Sequence, residues 1–211
     1  MTPQPPRFSW IIFGTLWVIL GASLTMFYLL VRRWTTQRQW VSLAEWARQR
    51  QFRFKSTATS ELPPALESLR EHDVKIRLHV GNDDVFAMQL STSPPEGRIE
   101  PNVWNVLVRR CPAPCAAPAA LRPANAPASV LDLLGLSQFP AHAIGHRFTV
   151  LSTSHSTARA LAEGAGRTLM PPDIGLLRAQ GWIVLDFSTR PFDPIELDRM
   201  IALATQLGAM V

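Results

Sequence analysis

Trp10 to Val31 reads WIIFGTLWVILGASLTMFYLLV, twenty-two residues without a charge. As a helix this stretch extends about 33 Å, enough to cross a hydrocarbon core of roughly 30 Å. A buried helix of a soluble domain rarely runs about six turns without a charged side chain, so the pattern favours lipid as the solvent. Trp10 and Trp34 bracket the run where indoles prefer the headgroup level, and Arg32 and Arg33 stop it. A cleaved signal peptide would carry a shorter apolar core followed by small residues. This run is longer and exits through Tyr28-Leu-Leu-Val-Arg-Arg, so an uncleaved signal anchor is expected.

The charges around this segment set the expected sidedness. Residues 1–55 hold eight basic residues against one acid, Glu45, while the remainder has thirteen basic and fifteen acidic residues. Arg7 and the amino terminus precede the span, whereas Arg32, Arg33 and Arg38, then Arg48 and Arg50, follow it. The basic bias therefore predicts a single-pass protein with its carboxy-terminal domain in the cytoplasm, at the inner membrane if the cell is bacterial. The candidate membrane-interface residues are Trp10, Arg32, Arg33, Trp34 and Arg38. The three arginines can also grip anionic headgroups, each contributing about 1 kcal/mol near a charged surface.

A domain that is slightly acidic on its own lacks the broad positive field that phosphate binding needs, so no nucleic-acid partner is expected despite the chain's net charge of +5. The lipid bilayer is the first expected partner, and a membrane or cytoplasmic protein the second. Gly14, Gly21 and Ala22 could line a homodimer of anchors, although no Gly-xxx-Gly is present.

The organisation predicted from the chain is a short tail over 1–9, a transmembrane helix over 10–31, a basic juxtamembrane helix over 32–50 and a soluble α+β domain over 51–211. Within 36–50, Trp40, Leu43, Ala44 and Ala47 share a helical face. Ser42 to Glu45 has the form of a capping box, so either a new helix starts there or the first one continues.

Beyond it, Phe52 to Lys55 alternates as a short strand, and a proline-started helix over 60–70 turns Leu62, Leu66 and Leu69 inward. A hairpin follows, with strands at 74–80 and 85–90 around the turn Gly81-Asn-Asp-Asp84, and then a third strand at 103–109. The Pro/Ala-rich stretch 111–128 is expected to be a loop without regular structure. The last third reads as a strand at 147–152, a helix at 157–163, a proline-started helix at 171–179 with Gly181 as its left-handed cap, a strand at 182–187 and a closing helix over 194–207. Consecutive strands followed by alternating helices and strands predict α+β with a mainly antiparallel sheet.

Chemical motifs are sparse. Cys111-x3-Cys115 and His142-x3-His146 supply four residue types that bind zinc tetrahedrally, but twenty-six residues separate the pairs and Gly145 works against a helix presenting both histidines. In the cytoplasm the two cysteines serve equally as free thiols, and a disulfide inside CPAPC requires an oxidising compartment. Ser154, His155 and Asp186 contain the residue types of a nucleophilic triad, yet no Gly-x-Ser-x-Gly elbow is present, and Ser154 fits a helix start better. Asp83 and Asp84 fit a hairpin turn without calcium-loop spacing. No Gly-rich phosphate loop, dinucleotide fingerprint or kinase signature occurs, and no cofactor or catalytic residue is expected.

The segments HRFTVLS at 146–152, STARALAEG at 156–164 and RPFDPIEL at 190–197 resemble a group of uncharacterised bacterial single-pass membrane proteins in which a short anchor precedes a small α+β domain. The resemblance implies that architecture and transfers no activity. The expected function is a membrane-anchored, non-enzymatic interaction or accessory module. The alternative is a membrane-bound enzyme or metal-binding domain using Cys111, Cys115, His142 and His146.

Overall fold

A computed structural model describes residues 7–56, 62, 64–94, 101–111, 117–126, 129–136, 139–142, 147–166 and 168–209, with backbone alone at 7–12, 32, 35, 36, 56 and 166. The chain divides into two compact units, Met1–Leu43 and Ala44–Val211. The first consists of most of helix α1, Arg7–Gln49, which runs without a break through the Ser42 region. The alternative of a new helix at Ser42 is thereby removed. Ser42 Oγ donates to the Gln39 carbonyl, and Glu45 accepts from Arg48 and Gln49, so neither side chain caps.

The second unit is α+β, as the sequence indicates. Its strands are β1 (Arg53–Ser56), β2 (Lys75–Gly81), β3 (Val85–Ser91), β4 (Val103–Arg110), β5 (Ala119–Pro123), β6 (Ala141–His142), β7 (Phe148–Ser152), β8 (Gly175–Ala179) and β9 (Trp182–Asp186). They form one sheet in the order β1-β2-β3-β4-β9-β8-β5-β7-β6, antiparallel at every step. The unit also holds the end of α1, a 3-10 helix (Pro64–His72), α2 (Val130–Leu133), α3 (His155–Leu161) with a π-helical stretch after it (Ala162–Gly166), and α4 (Pro194–Ala209).

Two neighbouring cross-strand rows show how the sheet is held. Phe86, Val108, Val184, Leu177, Ala120 and Leu151 stand opposite one another across six strands and belong to a single buried cluster. Leu66 and Leu69 of the 3-10 helix and Val130 and Leu131 of α2 join that cluster. The adjacent row, Val80-Ala87-Leu107-Leu185-Leu176-Leu121-Val150, points to the other face because strand side chains alternate. Ile183 shares that second face, where Gly208 of α4 lies against its Cδ1. Leu197, Met200, Ala204 and Leu207 of α4 are buried. Burial on both faces gives central strands a continuous apolar run instead of alternation.

Three expectations are corrected. The stretch 111–128 is not without regular structure, since β5 lies inside it as a central strand between β8 and β7. Pro118 precedes that strand and Pro123 ends it, which leaves Ala119-Ala-Leu-Arg122 free to donate to the ladder. The expected helix at 171–179 is instead a turn leading into β8, and Gly181 is not a helix cap. Gln180 and Gly181 both have positive φ, 51° and 77°, and form the two-residue turn of the β8–β9 hairpin. At Gly175 a Cβ would stand 2.9 Å from Leu131 Cδ1 and 3.2 Å from Asp186 Cβ, so a larger residue where the strand begins would have to displace these neighbours. The proline-started segment after Ser60 is a 3-10 helix from Pro64, with Leu66 and Leu69 inward as expected.

Candidate functional site

The apolar part of α1 covers Phe13–Val31, nineteen residues of which none is buried within the chain. Its backbone groups are satisfied by the helix itself, the condition for any segment in lipid. The Thr25 hydroxyl is also satisfied locally, donating to the Gly21 carbonyl at 2.8 Å. At the carboxy-terminal end of this run, Trp34 is 54 % exposed, and the Arg38 guanidinium lies 3.5 Å from the centre of its ring. A cation on an indole face, one helical turn beyond the apolar stretch, forms an amphipathic tip suited to headgroup depth. Arg33 is exposed. Trp10 and Arg32 lie on the helix backbone, and their side chains are outside the described residues.

Within the second unit, Trp46 Nε1 donates to Asp198 Oδ1 at 3.0 Å, and Arg50 pairs with the same carboxylate at 2.7 Å. Trp46 also meets Phe52 edge to face at 5.5 Å. These contacts fix the last turn of α1 on α4.

Of the four cysteine and histidine positions, Cys111 and His142 are among the described residues. Cys111 is buried beyond the end of β4, where its N–H donates to the Gly181 carbonyl at 2.7 Å. Cys115 and His146 lie outside the described residues. His142 lies in β6 beside His155, the first residue of α3. No group of three or more metal-binding side chains occurs among the described residues.

Ser154, His155 and Asp186 do not form a triad. Ser154 Oγ caps α3 by accepting from Thr157 N and also contacts Ser156 Oγ at 2.9 Å. Asp186 ends β9, three strands from β7, a lateral separation of about 14 Å. Its carboxylate is committed elsewhere: one oxygen accepts from Val130 N at 2.8 Å and from Ser129 Oγ, and the other from Ser188 N at 3.1 Å and Ser188 Oγ. The buried acid thereby fastens the start of α2 and the turn after β9. Ser129 and Asp132 add a capping box on α2, and Arg122 grips Asp132 through two nitrogens at 2.7 and 2.9 Å.

A second charged cluster was not legible in the sequence. Arg190 makes a two-pronged pair with Asp173 at 2.7 and 2.8 Å and a third bond to Glu196 at 2.7 Å; Arg199 reaches the other oxygen of Glu196 at 3.1 Å. The bonds to Arg190 hold the Asp173 carboxyl below its usual range, against the opposing effect of burial. Bonding to Asp173 raises the Arg190 guanidinium further. Asp193 caps α4 by accepting from Glu196 N, while the Glu196 carboxylate serves the arginines. With every charge paired, the cluster reads as a clamp between the β9 turn and α4.

His79 stacks on Phe86 with ring centres 5.1 Å apart. Burial, then the charges of Lys55 and Arg53, push its pKa down. Its Nδ1 finds no partner among the described residues.

No family model matches the chain, and no curated protein matches it in sequence. One solved structure resembles it in fold, the crystal structure of the mycobacterial trehalose monomycolate transport factor A, TtfA, with a TM-score of 0.55 and 13 % identity. The likeness covers 81 % of this chain and 93 % of that one. At this identity the likeness establishes a shared α+β architecture and nothing about activity.

Proposed function

We propose that this chain is a non-enzymatic accessory module, tethered by α1 to the cytoplasmic face of a bacterial inner membrane, where it assembles with a membrane or cytoplasmic protein. The observation that carries the reading is the exposed apolar surface of Phe13–Val31, far longer than the patches that soluble monomers leave in water. In this reading residues 1–9 form the outer tail, 10–31 the span, 32–50 the basic juxtamembrane segment and 51–211 the domain. Trp10, Arg32, Arg33, Trp34 and Arg38 mark the interface.

Fold analogy narrows the partner class. The structural neighbour is named for the transport of trehalose monomycolate. A membrane transport assembly is therefore the partner we favour, without that cargo being implied.

Cross-linking in native membranes followed by mass spectrometry tests this directly. A recurring membrane-protein partner is expected; turnover of small molecules by a domain that captures no partner would reverse the reading. Sidedness is tested separately, since Arg32, Arg33 and Arg38 replaced together by glutamine should redistribute the domain across the membrane in a protease-protection assay. Unchanged sidedness would remove the arginines as its cause.

A further inference from the structure

Thirteen residues separate His142 from His155, yet the fold places their Nδ1 atoms 3.4 Å apart, with ring centres at 5.2 Å and planes inclined by 67°. On its other side the His142 ring presents Nε2 to the Ser152 carbonyl at 3.1 Å. A carbonyl only accepts, so Nε2 carries the hydrogen and Nδ1 offers its lone pair toward His155. A backbone carbonyl holding the far nitrogen is the arrangement that orients metal-bound imidazoles. The separation of the near nitrogens is also informative. It exceeds the roughly 2.7–3.2 Å of N–H···O hydrogen bonds and is long for a bond between two ring nitrogens, whereas two nitrogens bound at 2.0–2.1 Å to one tetrahedral ion stand about 3.3 Å apart.

We propose that His142 Nδ1 and His155 Nδ1 are two ligands of a divalent transition-metal site of the zinc class at the β6 edge, with water in the remaining positions. Imidazole suits zinc, copper and nickel, and His155 is exposed, which gives an ion a path from solvent. The pair differs from the sequence-derived set, because the residue brought to His142 comes from the start of α3. The inference does not depend on the accessory-module reading.

The test is calorimetric titration of the full chain in detergent micelles with zinc chloride. One zinc per chain is expected, with His142→Gln and His155→Gln each weakening binding at least tenfold. His72→Gln, at an exposed position elsewhere, should bind as the parent does. His155 opens α3 with an exposed side chain, so its replacement leaves the fold intact, which thermal melting verifies. Absence of saturable zinc uptake, or unchanged affinity in His155→Gln, would overturn the assignment. Binding that needs Cys115 and His146 but not His155 would also overturn it, in favour of the sequence-derived set.

Discussion

Leu20 and Leu121 are the same side chain in two surroundings: Leu20 stands 49 % exposed on α1 among other apolar groups, and Leu121 is 0 % exposed in β5. In the sheet, apolar groups are covered by each other, by α2 and by α4, so water is excluded by protein. Among the described residues, nothing provides that cover along Phe13–Val31. The difference teaches that hydrophobicity alone assigns no location. The domain hides its leucines by folding, whereas the apolar helix would need a second solvent to do the same.

The largest expected effect comes from charging the anchor. Leu20→Arg with Leu24→Arg should disfavour insertion by about 6 kcal/mol and release the protein into the carbonate wash, while the domain melts as before. Retention equal to the parent would break the comparison at the anchor.

Next is Asp186→Ala, which strands buried donors on Ser129, Val130 and Ser188. A loss of about 4 kcal/mol in denaturant unfolding is expected; a loss under about 1 kcal/mol would show that α2 and the β9 turn hold without it. Leu121→Ala should cost about 3 kcal/mol of domain stability, whereas Leu20→Ala should change insertion by less than about 1 kcal/mol. Equal costs would erase the distinction between the two leucines.

The smallest effect concerns pH. The folded pKa of His79 lies below its unfolded value near 6.5. The unfolded chain therefore binds more protons as pH falls, and this contribution is whole above about 6.5 and lost as pH drops through the folded value. Melting temperatures should decline below about pH 6.5, and His79→Phe should lack that limb. Asp173, with a depressed carboxyl, loses its contribution only at lower pH, as pH falls through its folded pKa, so the two windows separate.

The long apolar helix, the β2–β3–β4 meander, β7, β9 and α4 were legible because each shows one clear pattern: an uncharged run, a β-branched or apolar run between turn residues, or an Asp-Pro start. β8 was not, since Leu176 and Leu177 are both buried and carry no period of two, and a proline pair followed by leucines imitates a helix start. The same misreading turned Gln180-Gly181 from a hairpin turn into a helix end. β5 was hidden by composition, as prolines at both ends made the five residues between 119 and 123 look like part of a loop. The His142–His155 pair and the Arg190 clamp depend on tertiary approach across a strand edge and a helix start, and no sequence spacing announces them.

The two rims of the sheet carry a final consequence. One is β6, only two residues long, and the other is β1, where Arg53 and Lys55 face outward. Molecules confined to a plane meet far more often than molecules free in three dimensions, and open strand edges would let them zip together into ribbons. A stub on one side and like charges on the other let such a protein crowd a surface without polymerising on it.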